Sequence, residues 1–147
     1  MKIRVAWIGK TKDPAIQALT AEYLKRLSAY SQLEPLALGS EPALLKLAAR
    51  TSNRPPCTLV LLDSRGKQFS SEEFACFLDE QQNHGSQPFL FAVGPASGFS
   101  EQARKAASLL LSLGKMTLPH ELARVVLLEQ LYRAFTILKG HPYHLGH

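Results

Sequence analysis

The chain has 147 residues, 46% of them hydrophobic and 20% charged, with a formal net charge of +5. That length suits one domain, 1–147, able to bury about 68–70% of the surface its unfolded chain exposes. No apolar run approaches the ~18 residues a membrane-spanning helix needs, and Met1–Val5 runs into a strand pattern without a signal-peptide layout, so a cytoplasmic protein is expected.

Lys2 to Gly9 carries Ile3, Val5, Trp7 and Ile8 and reads as a first strand ended by Gly9. Asp13-Pro14 is a helix start, with an acceptor to cap free N–H groups and a proline suited to the first helical position. Ile16, Leu19, Tyr23 and Leu27 recur at three and four, which predicts one apolar face of a helix ending near Ser28. A second strand over Leu33–Leu38 and a modest helix over Glu41–Arg50 follow, then the connector Thr51–Pro56. Cys57–Asp63 is a continuous apolar run of the length of a strand covered on both faces.

Ser70-Ser71-Glu72-Glu73 has the form of a capping box and opens a helix ended by His84-Gly85. Pro88–Val93 predicts a fourth, buried strand, and Gly94–Phe99 a tight loop before a helix starting at Ser100-Glu101. A short fifth strand reaches Pro119, and a nearly all-apolar helix spans Glu121–Lys139 before the tail Gly140–His144. Strands alternate with helices throughout, so the expected class is α/β, a mainly parallel sheet with helices on both faces.

In such sheets ligands bind beyond the carboxyl ends of the strands. Three segments qualify: Leu62–Lys67, Gly94–Gly98 and Leu113–Leu118. Gly94 and Gly98 lack the third glycine of a dinucleotide fingerprint, and Ala96 stands where a nucleophile elbow has serine. Gly114-Lys115-Met116-Thr117 lacks the upstream glycine of a phosphate-binding loop. His141, His144 and His147 stand three apart, but Pro142 opposes the helix that would align them and no acid or thiol lies nearby, so no metal is expected. Cys57 and Cys76 read as small buried hydrophobes in a reducing compartment.

Charge is uneven. Lys2, Arg4, Lys10 and Lys12 precede the first acid, Asp13, and from Gln102 onward Arg104, Lys105, Lys115, Arg124, Arg133 and Lys139 face only Glu121 and Glu129. Basic ends suit a polyanion such as RNA, and equally a merely solvated surface.

The segment Leu113-Gly-Lys-Met-Thr-Leu-Pro-His120, with Arg124–Ala134 and His141-Pro-Tyr-His144, resembles the ribosomal large-subunit methyltransferase H family, the YbeA-like group of SPOUT methyltransferases. Lys2–Lys10, Glu22–Leu27 and Leu61–Lys67 match as well, so the resemblance spans the chain. It implies a homodimer with a C-terminal trefoil knot, a rare exception to unknotted topology. It implies S-adenosylmethionine as methyl donor and, as substrate, N3 of a pseudouridine of 23S rRNA in the assembled ribosome. The family's cofactor positions fall on Leu62, Gly94, Leu113, Gly114, Lys115, Met116, Thr117 and Leu118. Pro95 replaces a second glycine usual in the family, and Leu145-Gly146-His147 replaces a basic terminus.

The N3–H of the base must lose a proton near the transition state. The expected proton handler is His144, with Tyr143 stacking on or bonding to the base and Arg133 stabilising imide charge. His120, at a helix start, is a candidate neutral acceptor. The all-round apolar helix calls for cover from a second copy, which predicts a two-fold dimer with one subunit's tail near the other's cofactor. A tRNA-directed SPOUT enzyme, or a ribosomal RNA-docking module that has lost its cofactor, would share the same loops.

Overall fold

A computed structural model describes residues 1–147 except Arg50, Ser52, Arg54, Pro55, Ser86 and His147. Five strands, β1 (Lys2–Ile8), β2 (Gln32–Leu38), β3 (Thr58–Gln68), β4 (Phe89–Val93) and β5 (Leu109–Ser112), form one sheet in the order β2-β1-β4-β3-β5. Every neighbouring pair is parallel. The connecting helices are α1 (Pro14–Leu27), α2 (Glu41–Ala48), α3 (Ser71–Gly85) and α4 (Glu101–Ala106), and α5 (His120–Leu138) follows β5. No described helix is long and apolar enough to cross a membrane.

Side-chain alternation explains why both faces are covered. Ile3, Val5, Trp7, Val60, Phe89, Phe91 and Val93 point to one face and pack against α1, α3 and α5. Ala6, Leu59, Leu61, Leu90 and Ala92 point to the other, with Leu44 of α2 and Ala103 of α4. The five residues of β4 are all buried, as a central strand with two apolar faces requires.

The helix signals work as read. The Asp13 carboxylate accepts from the N–H groups of Ala15 and Ile16, with Pro14 opening α1. Ser70 Oγ accepts from the Glu73 N–H at 3.0 Å, and Glu73 accepts from the Ser70 N–H at 2.7 Å.

Several expectations are corrected. Of the expected stripe of α1, Ile16, Tyr23 and Leu27 face inward, but Leu19 is 43% exposed and Thr20 is buried in its place. Cys76 is exposed and Cys57 half-buried, just ahead of β3. α2 ends at Ala48, and its expected end, Arg50, lies outside the described residues, as do Ser52, Arg54 and Pro55 of the connector. β3 runs on to Gln68, because after an irregular excursion over residues 63–66 the chain returns and Lys67 and Gln68 pair again with Leu111 and Ser112. Gly66 makes that return possible, since a Cβ there would lie 2.5 Å from the Leu110 backbone. β5 stops at Ser112, not Pro119, and residues 113–119 form a loop.

The long helix is covered largely within its own chain. Leu127, Leu128, Leu131, Ala134 and Phe135 are buried against the sheet, flanked by α1 and α3, and Val125 is buried as well. A stripe through Leu122, Val126, Glu129, Arg133 and Ile137 stays half-exposed or exposed, at spacings of three and four. Leu131→Ala should lower unfolding free energy by about 2–5 kcal/mol through lost burial and a residual cavity, whereas Leu19→Ala should cost under about 1 kcal/mol. Urea titration of the two variants checks the contrast.

Candidate active site

The carboxyl ends of β3, β4 and β5 open onto a cleft of about 720 Å³. Leu62, Gly94, Leu113, Gly114, Met116, Thr117, Leu118 and His120 all line it, so the three strand-end segments meet in space. Lys115 is exposed and is not among the lining residues. Asp63, Arg65, Phe99, Arg104 and Ala123 complete the wall.

Each segment has its own reason to be there. Gly94 follows a fully buried strand, and a Cβ on it would stand 3.0 Å from the Phe99 ring, so the backbone and that ring close the floor together. Pro95 supplies the carbonyl that accepts from the Gly98 N–H at 2.9 Å, a turn its missing N–H does not disturb. Gly114 sits at φ +137°, a region open to glycine. Its carbonyl accepts from Ser112 Oγ at 3.0 Å, which anchors the 113–119 loop to the strand end. Met116 at the loop's tip is 87% exposed.

The polar end of the cleft centres on Asp63, whose side chain is only 6% exposed. Its Oδ1 accepts from the Arg65 N–H at 2.9 Å, and Arg104 Nη1 stands 3.8 Å from Oδ2. Arg104 also donates to the Phe99 carbonyl at 3.1 Å and pairs with Glu101.

Above the cleft, two side chains of α5 fasten the loop after β1. Glu121 Oε1 accepts from the N–H groups of Lys12 and Asp13 at 3.0 and 3.1 Å. These bonds, that of Asp13 first, hold the Glu121 carboxyl below the usual carboxylate range. Arg124, 1% exposed, donates to Thr11 Oγ1 at 2.8 Å and to the Ile8 carbonyl at 3.0 Å, with its guanidinium carbon 5.7 Å from the Trp7 ring centre. Burial lowers its pKa, opposed by the charge of Glu121. An arginine three before Leu127 and four before Leu128 sits on the core stripe of the helix, the signal that could have marked it as buried.

The other expected site residues lie elsewhere in the same chain. Tyr143 packs edge-on to Tyr132 at 4.8 Å, under the Arg133 guanidinium at 4.9 Å. Burial, then a hydrogen bond with Tyr23, pushes its phenol pKa up. Arg133 donates to Glu129 at 2.9 Å, its partner at i−4, and to His144 Nδ1 at 3.0 Å. Since a guanidinium only donates, Nδ1 accepts and the ring's proton resides on Nε2, which donates to Glu72 Oε1 at 2.7 Å. That bond holds the Glu72 carboxyl below its ordinary value. Sequence reasoning missed Glu72, which belongs to the start of α3 and is adjacent to the tail only in three dimensions.

Arg133 and His120 are thirteen residues apart on one helix, roughly 20 Å along its axis. Arg133, Tyr143 and His144 therefore form a cluster separate from the cleft of their own subunit. Among the described residues no group of three His, Cys, Asp or Glu side chains is arranged to hold a metal, and His147 lies outside them.

Residues 1–144 match the family model described as predicted SPOUT methyltransferase. The chain is 61% identical over 147 residues, all of both chains, to the ribosomal RNA large subunit methyltransferase H of Koribacter versatilis. It is 44% identical to the protein of that name from Gloeobacter violaceus, over 99% of this chain and 100% of that one. Two solved structures share the fold at low identity. A probable methylase family protein from Haemophilus influenzae has TM-score 0.60 and 12% identity over 96% of this chain and 69% of its own. The SpoU methyltransferase AviRb from Streptomyces viridochromogenes, solved with the cofactor AdoMet, has TM-score 0.53 and 16% identity over 90% of this chain and 57% of its own.

Two outcomes follow from the geometry of the cleft. Gly94→Ala should lower stability by about 1–3 kcal/mol, since the new Cβ crowds the Phe99 ring. Adding Phe99→Leu should recover part of that loss, seen as non-additivity in a urea double-mutant cycle. Glu121 stabilises the fold above the ordinary carboxylate range and loses that contribution as pH falls through its lowered folded-state pKa. The stability gap between wild type and Glu121→Gln should thus narrow on acidification, as read by urea midpoints across the acid range.

Proposed function

Because the chain belongs to the SPOUT methyltransferases, and within them to the ribosomal RNA large subunit methyltransferase H family, we propose that it methylates N3 of a pseudouridine of 23S rRNA in the assembled ribosome, as a cytoplasmic enzyme. The observation that carries the reading is the meeting of three strand-end segments around one cleft. The lining fits S-adenosylmethionine. Its volume lies in the range of small-molecule sites, Leu62, Leu113 and Leu118 give apolar walls for an adenine ring, and Asp63 and Arg104 give an ionic end. Gly94, whose missing side chain leaves room for the Phe99 ring, closes the floor beneath such a ligand.

When bound, S-adenosylmethionine supplies an electrophilic methyl group on a sulfonium sulfur. The protein's part is to orient the acceptor nitrogen, exclude water and take the N3 proton. His144 is our candidate for the proton, with Tyr143 against the base and Arg133 near the developing imide charge. Both ring nitrogens of His144 are engaged, by Arg133 and by Glu72. Its action as a base needs the Nδ1 lone pair, so an incoming substrate must displace the Arg133 bond, while the Nε2–H bond to Glu72 holds the ring and stabilises the imidazolium that forms. His120 lines the cleft and serves in our reading as a neutral acceptor there.

A second copy supplies the missing half of this site. The half-exposed stripe of α5 from Leu122 to Ile137 is the proposed contact. With a two-fold axis perpendicular to α5, the helices run antiparallel, and the C-terminal half of one faces the N-terminal half of the other. Each tail cluster then meets the partner's cleft, which no arrangement within one chain achieves. The same family reading carries a deep C-terminal trefoil knot.

Calorimetry should detect S-adenosylmethionine binding, and tritiated methyl groups should enter 70S ribosomes but not bulk tRNA. His144→Ala should lower turnover by about a hundredfold or more at unchanged cofactor affinity. Mixing His144→Ala with a variant whose cleft no longer binds cofactor should restore activity through mixed dimers; silence of the mixture with light-scattering masses of monomers would overturn the shared site.

A further inference from the structure

The loop after β1, residues 9–13, carries two lysines, Lys10 and Lys12, both exposed. Its backbone is fixed unusually well for a five-residue surface loop. Glu121 accepts from two successive N–H groups, and buried Arg124 bonds at once to Thr11 and to the last carbonyl of β1. Gln17 adds a bond from its side-chain amide to the Thr11 carbonyl at 2.7 Å. Glu121 follows directly on Pro119 and His120, and Arg124 on Ala123, all three lining the cleft. The loop leaves β1 next to β4, whose end opens onto the same cleft, which puts the lysine-bearing segment on the cleft's side of the sheet.

The acids around them are engaged in internal bonds. Asp13 caps α1, Glu121 holds the loop, and Asp63 accepts from Arg65. Among the described residues Lys10, Lys12 and Lys115 make no ion pair. Glu101 pairs with Arg104 although its side chain is 65% exposed, so the acids at the sheet's carboxyl edge are engaged in bonds of their own while these lysines carry unmatched positive charge. Ordered point charges at fixed spacing suit a regular polyanion, and phosphate contacts are what set register on a nucleic acid.

We propose that the 9–13 loop is a phosphate clamp, held in place by Glu121 and Arg124, which grips the RNA backbone beside the cleft through Lys10 and Lys12. This rests on the RNA-methyltransferase reading above and adds where the backbone of that RNA runs. Lysine fits the task, since a compact charge on a flexible stem reaches a phosphate without the planar geometry a base edge demands. Glu121 and Arg124 are positioning residues, acting only through the loop.

The test is filter binding of 23S rRNA across a KCl series, with wild type, Lys10→Ala/Lys12→Ala and Glu121→Ala. The double variant should bind about tenfold more weakly, with a log–log salt slope shallower by about 1.5 units, some 0.7–0.9 for each phosphate no longer neutralised. Its cofactor affinity by calorimetry and its mass by light scattering should match wild type. Glu121→Ala should also bind RNA more weakly although it removes a negative charge; tighter binding would mean that charge alone matters and would overturn the clamp. An unchanged salt slope in the double variant would overturn it outright, as would lysine-dependent binding to acidic vesicles or acidic peptides but not to RNA. Wild type that binds RNA through these lysines yet transfers no methyl group would leave the clamp standing and fell the enzymatic reading instead.

Discussion

The carboxyl edge of the sheet keeps its shape through one buried guanidinium. Arg124 lies in the core stripe of α5, and from there it reaches the end of β1 and the loop beyond it. A buried charge is costly unless it is bonded, so the helix has one acceptable rotation and height against the sheet: the one that brings Thr11 and the Ile8 carbonyl within reach. Leucines alone fix such a position loosely, because a slip of one residue still buries something apolar. Fixing α5 fixes Pro119, His120 and Ala123, and with them the roof of the cleft.

The cleft itself is a consequence of strand order. β4 lies between β1 and β3, with β5 beyond β3, so the ends of three adjacent strands release their loops on the same side of α5. Two of those loops are closely packed: Gly94 is closed over by Phe99, and the excursion after Leu62 ends where Gly66 returns against β5. The third, over 113–119, is tied at its base by Ser112 and open at its tip, where Met116 stands in solvent.

The alternation of strands and helices, the caps at Asp13 and Ser70, the buried β4 and the three strand-end segments were all legible in the sequence, because each rests on periodicity or on chemistry local to a few residues. What escaped involves partners far apart in the chain. Nothing near Glu72 announces His144, and nothing near Thr11 announces Arg124, over separations of 72 and 113 residues. The extension of β3 escaped for a different reason. Asp63-Ser64-Arg65-Gly66 has loop composition, and only the renewed pairing of Lys67 and Gln68 with β5 makes the segment part of the strand. Leu19 was misplaced because both i+3 and i+4 from Ile16 fit a helical stripe that runs on to Tyr23 and Leu27, and Thr20, small enough to be buried, took the inner position.

The tail is the place where the single chain is least complete. Arg133, Tyr143 and His144 are organised as a site is organised: a ring held at both nitrogens, a cation over a phenol, and a carboxylate on the far side. Yet the surface they face in their own subunit is the start of α3 and the end of α1, not a cavity that could hold a nucleobase. A cluster ordered by so many polar contacts would be an odd ornament for a free end, since short termini are ordered only when something ties them down. The stripe of α5 beside it exposes Leu122 and leaves Val126 and Ile137 half-covered in continuous line with Arg133. The second copy proposed above, laid antiparallel on the first, accounts for both features of this helix face: it buries the apolar surface and brings the polar cluster to a cleft that already has walls and floor.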